Sequence, residues 1–275
     1  MTIEESSYLL TELKKIEKWE KSQKGLWFWE KIGRIPFKLL DRLTPAFIQD
    51  KMALALDEIG NYLQFGGKYM SKEKNVLKKF QKKLPNLEII TLEDVKTAPL
   101  EIMNEVSKDM QKSLIRAAAV QGATTGVGGI FTLAADIPLL LGISIKTIQD
   151  IALSYGFNPE EKRERVFVIK CLQFSNADTV GKTAILNELS NFDSEDKRQE
   201  MISQLQGWRE VIYTYRDQFG LKKLLQMVPI AGILFGAFSN RSMIADLAET
   251  ADMLYKKRRI VDRLNQTDTF PSEIS

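Results

Sequence analysis

Apolar positions along the chain recur mainly in alternating steps of three and four. Leu141, Ile145, Ile148, Ala152 and Tyr155 keep that rhythm, as do Ile48, Met52, Ala55, Ile59 and Tyr62, and then Ile244, Leu247, Ala251 and Leu254. A longer series, Met201, Leu205, Trp208, Ile212, Tyr215 and Phe219, makes one stripe on a long helix. At 3.6 residues per turn such spacing gathers a single apolar face. Period-two alternation between turn signals is absent. The chain therefore reads as all-α, a multi-helix globular bundle of about nine or ten helices, short ones included.

Helix punctuation supplies boundaries. Thr44-Pro45 and Asn158-Pro159-Glu160-Glu161 each place a capping side chain before a proline at the first helical position. Gly156 stands where the preceding helix should end. Thr91 with Asp94 approximates a capping box, Ser71 opens a lysine-rich helix over 71–84, and Asp193-Ser194 opens the long helix of the second half. Pro85 and Asn86 suggest a boundary between a Trp-rich region, 1–85, and a more apolar core, 86–265. A frayed tail, 266–275, follows, and the whole is expected to form one compact unit.

Two stretches are apolar beyond what one amphipathic stripe requires. Residues 117–145 contain a single ionisable group, Asp136, and residues 224–240 contain none. Small residues four apart, Gly122 with Gly126 and Gly232 with Gly236, leave a flat stripe on which helix backbones approach closely, and Gly128 and Gly129 extend the first. The two segments are expected to pack on each other at the centre of the bundle. The hydropathy of 127–145 lies where transmembrane helices are found. Against spanning, a mid-membrane carboxylate costs about 2.5–3.5 kcal/mol, and Asp136-Ile137-Pro138 looks like a cap that splits the run into two helices too short to cross. A buried hairpin and a membrane-embedded one both remain open, and Asp136 is either a cap or a weak candidate for a functional carboxylate.

Composition narrows the chemistry by exclusion. The chain has no histidine and one cysteine, Cys171. A Ser-His-Asp triad, a Cys-His pair and a His-ligated metal are thereby ruled out, as are an internal disulfide and a thiolate metal cluster. Gly181-Lys182-Thr183 looks like the end of a P-loop, but Asn176 stands where the loop needs its first glycine. Gly126-Val127-Gly128-Gly129 fails the dinucleotide fingerprint because Phe131 occupies the last glycine position. Cys171 sits among apolar residues as a core thiol. Glu160, Glu161 and Glu164, interleaved with Lys162, Arg163 and Arg165, read as a solvated face. No catalytic residue, cofactor or metal is expected.

Charge is more telling locally than in total. Thirty-nine basic and 36 acidic side chains leave +3 overall. Residues 68–83 alone carry +6, from Lys68, Lys72, Lys74, Lys78, Lys79, Lys82 and Lys83 against Glu73, so the rest of the chain is at −3. Val76, Phe80 and Leu84 line one face of this segment. A basic amphipathic helix suits an anionic membrane surface, although the same pattern describes a surface helix docked on its own core. Trp27 and Trp29, with Trp19 and Phe28 among lysines, suit the headgroup level of a bilayer equally with a protein interface. Lys256-Lys257-Arg258-Arg259 reads as the basic end of the last long helix, needing no ligand. Nucleic acid is not expected as a partner, because no binding signature accompanies the lysines.

The string AAAVQGATTGVGGIFTLAADIPLLLGISIKTIQDIALSYGFNPEE, with VPIAGILFGAFSN and ADMLYKKRR further on, resembles the bacterial EcsC family. The likeness runs over about residues 45–263, with LDEIGNYL as a weaker block. The family takes its name from a gene beside the Ecs-type ABC transporter. The resemblance thus implies an accessory protein of a membrane system, with a membrane surface, a lipid or a membrane protein such as the ABC transporter as partner. It brings no catalytic residues. A polar amino terminus without an apolar leader fits the cytoplasm, peripheral to or embedded at the inner face of the membrane. The alternatives are a soluble helical module holding a lipid between the two apolar segments, and a carboxylate-dependent enzyme using Asp136.

Overall fold

The computed structural model describes residues 4, 6–23, 57–63, 65–66, 73–125, 137–177, 179–189, 192 and 240–268; for 117–125, 137–140, 176, 179–180, 240–242 and 267–268 the description is of the backbone alone. Its helices are α1 (Ser6–Gln23), α2 (Glu73–Lys83), α3 (Leu92–Thr97), α4 (Leu100–Thr125), α5 (Ile137–Ser154), α6 (Lys162–Asn176), α7 (Thr179–Leu189) and α8 (Asn240–Asp268). Residues 57–63 are helical as well, and there is no strand among the described residues. The fold is all-α.

Helices α4, α5 and α8 pack on one another and form the centre. Helix α6 lies against α5 and α8, α2 against α4 and α5, α1 against α8, and α7 against α6. The stripes read from spacing point into this centre. Leu141, Ile145, Ile148, Ala152 and Tyr155 of α5 are buried, as are Ile244, Leu247, Ala251 and Leu254 of α8 and, from the earlier stripe, Ile59 and Tyr62. A buried Leu or Ile contributes about 1.5–3 kcal/mol, so these faces fix how the helices are rotated.

Local signals set the helix ends. Helix α5 begins at Ile137 and ends at Ser154, two residues before Gly156, whose φ is +74°. There Phe157 N donates to Ala152 O and Gly156 N to Leu153 O, each at 3.0 Å, which closes a Schellman turn. Before α3, Thr91 Oγ1 accepts from Asp94 N at 3.3 Å while Asp94 Oδ2 accepts from Thr91 N at 2.8 Å, a reciprocal capping box. Bonds from the Thr91 and Ile90 amides hold the Asp94 carboxyl below its ordinary range. The cap expected at Asn158 is not formed. Asn158 Oδ1 accepts from Glu160 N at 3.0 Å and its carbonyl from Glu161 N at 3.1 Å, a tight turn that delays the helix to Lys162.

The stripes from Ile48 to Ala55 and from Met201 to Phe219, the caps at Thr44-Pro45, Ser71 and Asp193-Ser194, and the tail after 268 lie outside the described residues. So does the expected mutual packing of the two glycine-spaced segments, of which 126–136 and 224–239 are not described. Among the described residues no helix is long and apolar enough to cross a membrane.

Candidate functional site

The basic quartet of α8 is not a helix end. The helix runs on to Asp268, and four consecutive positions in mid-helix cover every side of a turn. Each residue therefore meets a different partner. Lys256 Nζ lies 3.8 Å from Glu12 of α1 and 3.9 Å from Asp252, Lys257 Nζ donates to Glu20 of α1 at 2.7 Å, and Arg263 one turn on binds Glu4. Arg259 Nε donates to Tyr155 O at 2.9 Å, satisfying a carbonyl at the end of α5. Burial pulls its guanidinium down to about 10, which leaves it charged at neutral pH. Arg263 also donates to Lys96 O at 3.0 Å and Ala98 O at 2.6 Å, holding the α3–α4 corner.

Arg258 faces inward. It meets Glu164 of α6 in a two-pronged pair, at 2.7 and 2.8 Å, with the Arg and Glu side chains 6% and 1% exposed. The guanidinium carbon lies 4.2 Å from the Phe157 ring centre and 4.3 Å from that of Phe167, and Phe192 and Tyr255 complete the surround. Glu164 is thus no part of a solvated face, and Arg165 is buried too, its Nε donating to Leu63 O at 3.0 Å. Elsewhere on α8, Asp252 accepts from Ser107 Oγ at 2.5 Å and from the Tyr155 hydroxyl at 2.8 Å. Burial first, and Asp252 second, push the Tyr155 phenol well above its usual range. These groups are mutually saturated and join helices. No described set of three metal-ligating side chains converges.

The near-miss motifs resolve in the same sense. Gly181, Lys182 and Thr183 lie within α7, where no phosphate-cradling loop exists, and Lys182 Nζ donates to Gln23 at 2.9 Å. Cys171 is buried, and burial pushes its thiol up, away from the reactive thiolate. Trp19 is half-buried and stacks on Phe174 at 5.6 Å.

The basic face of α2 is presented to solvent, as are Lys14, Lys18 and Lys21 of α1 and Lys108, Lys112 and Arg116 of α4. Val76 and Phe80 are fully buried against α4 and α5, so the apolar stripe belongs to the core. Lys83 is taken up by Glu105 at 2.8 Å and Asp109 at 3.4 Å on α4. Lys74, Lys78 and Lys82, one turn apart, are exposed, and with half-buried Lys79 they meet no carboxylate among the described residues. Lys68, Lys72, Trp27, Trp29, Asp136, Gly126, Gly128, Gly129, Gly232 and Gly236 lie outside the described residues, and Gly122 is placed by its backbone alone, within α4.

Sequence reasoning missed the Arg258–Glu164 pair, although a signal was there. Position 258 continues the stripe of Ile244, Leu247, Ala251 and Leu254 by one further step of four. Glu164 likewise opens the buried series Phe167, Cys171 and Phe174. An acid on one apolar stripe and a base on another announce a buried ion pair.

The chain is 56% identical over 268 residues, 98% of each chain, to the uncharacterised protein YdbA of Bacillus subtilis. It is 32% identical over 165 residues, 60% of this chain and 67% of the relative, to Protein EcsC of the same organism. No solved structure matches it. The family model for the EcsC protein family matches residues 11–260, and the chain belongs to that family.

Proposed function

We propose that this chain is a non-catalytic accessory protein acting at the cytoplasmic face of the membrane, beside a membrane system of the ABC transporter kind. The observation that carries this reading is the lysine row of α2. Lys74, Lys78 and Lys82 are exposed and meet no carboxylate among the described residues, whereas Lys256, Lys257 and Arg258 of α8 are taken up by acids of α1 and α6. Lysines near an anionic bilayer are worth about 1 kcal/mol each, enough together for reversible attachment. The family's link to a transporter supplies the setting. Attachment is peripheral in this reading, since no described helix can cross a bilayer.

Fractionation of cells with a carbonate wash tests it. The protein is expected with the membranes and should be released by carbonate or high salt, because exposed charge is screened. Recovery wholly in the soluble fraction, with no affinity for anionic vesicles, would overturn the reading.

A further inference from the structure

Helix α2 ends in a turn with an unusual presentation of apolar side chains. Leu87 is 51% and Ile90 60% exposed, while Ile89 between them is buried and anchors the segment. The turn is tied from both sides. Leu84 N donates to Phe80 O at 2.8 Å and Leu87 N to Leu84 O at 3.1 Å. Gln81 spans it, its Nε2 donating to Leu87 O at 3.0 Å and its Oε1 accepting from Ile89 N at 3.2 Å. Asp94 of the α3 capping box accepts from Ile90 N at 3.0 Å. Two large aliphatic side chains are thus held outward by a backbone that is already ordered.

The position of Gln81 relates this turn to the lysines. Lys74, Lys78 and Gln81 follow at i, i+4 and i+7, one line along the helix, with Lys82 beside it. The turn that Gln81 holds therefore continues the basic row. We propose that the Leu87–Ile90 turn is a membrane wedge: the lysine row of α2 meets anionic headgroups while Leu87 and Ile90 enter the boundary between headgroups and acyl chains.

The proposal rests on the peripheral-membrane reading above and gives it a depth and an orientation. An anionic lipid surface is the occupant that this chemistry fits. Lysines that meet no carboxylate among the described residues supply long-range attraction, and two outward aliphatic side chains find a favourable environment in an acyl layer. Burying them there needs little further ordering, because the turn is fixed beforehand. Glu88, exposed between the two, and Asp94, which accepts from Ile90 N, are carboxylates at the turn; shallow insertion leaves them among the headgroups, where Lys74, Lys78 and Lys82 outweigh them.

The test uses the full chain. Since native Cys171 is buried, Leu87→Cys can be labelled selectively with an environment-sensitive fluorophore, and Leu10→Cys on α1, where Leu10 is 47% exposed, serves as the control site. Vesicles are phosphatidylcholine alone or mixed about 2:1 with phosphatidylglycerol. The label at 87 should brighten and shift to the blue with the mixed vesicles only, and the label at 10 should not. In sedimentation, Leu87→Ser with Ile90→Ser should weaken binding about tenfold or more, and neutralising Lys74, Lys78 and Lys82 should weaken it about fivefold per lysine. Binding that leaves the label at 87 unchanged, with the serine variant as tight as the native chain, overturns the wedge and leaves the lysine reading standing. An equal response to pure phosphatidylcholine overturns the anionic surface. No binding by the native chain brings down both readings.

Discussion

Helices α2 and α8 are both rich in basic residues, lysines alone on α2 and lysine with arginine on α8, yet they treat that charge in opposite ways. Helix α2 turns its apolar stripe inward and strings Lys74, Lys78 and Lys82 along one outer line. Helix α8 is buried among α4, α5, α6 and α1, and four basic residues in succession leave it no side on which to keep them all in water. Their heads are matched one by one, to Glu12, Glu20, Glu164 and the carbonyls of Tyr155 and Gly156. The arrangement of charge along a helix, more than its amount, decides whether it becomes a surface or a scaffold. Spacing by four yields a face, and an unbroken run yields spokes.

The difference is sharpest at the buried pair. Removing one partner of a buried pair leaves an uncompensated charge at a cost of about 3–5 kcal/mol, because nothing replaces the lost solvation. Glu164→Ala should therefore lower unfolding free energy by about that much, read from the midpoint of urea unfolding. Replacing both partners, Glu164→Leu with Arg258→Met, should recover most of the loss, since the surroundings are the rings of Phe157, Phe167 and Tyr255. If the single and the double variant are equally destabilised, the packing of these side chains matters and their charge does not.

Gly156 is the next place to press, because it is where α8 grips α5. Its φ of +74° disfavours any side chain, and a Cβ there would come 2.9 Å from Lys96 Cγ and 3.2 Å from the Arg259 guanidinium. Gly156→Ala should destabilise by about 1–2 kcal/mol, the strain of a left-handed non-glycine residue plus a displaced neighbour. A thermal melt within error of the native chain would show that Arg259 can yield without loss, and that its bonds to the α5 carbonyls are dispensable.

Much of this was legible in the sequence where one physical signal dominated. The stripes of α5 and α8 and the stop at Gly156 follow from apolar period and from the conformational demand of a Schellman turn, neither of which needs a distant partner. The capping box at Thr91 is local in the same way. What could not be read was partnership across the chain. Nothing near Glu164 indicates that Arg258, 94 residues away, will neutralise it, so the neighbouring Lys162 and Arg163 suggested a solvated face instead. The lysine helix shows the middle case. Its stripe was legible, but whether Val76 and Phe80 faced lipid or core depended on α4 and α5, and the structure places them in the core. That shifts the candidate surface from the helix's apolar side to its lysine row and the turn beyond it.

The smallest effect on stability should come from the residues with the largest expected effect on location. Lys74, Lys78 and Lys82 are exposed and make no ion pair among the described residues. Exposed substitutions of this kind usually lie within about 0.5 kcal/mol of neutral. Changing all three to glutamine should leave the melting temperature nearly unchanged, with relief of like-charge repulsion along the row acting in the stabilising direction. The equivalent change on α8, Lys257→Gln, deletes a 2.7 Å bond to Glu20 and should cost more in stability from one substitution than the α2 triple does. Comparing the two by melting temperature and by the fraction of protein in the membrane pellet separates scaffold charge from surface charge. Stability should move with α8 and location with α2, and a triple variant that melts early but stays on the membrane would reverse the assignment.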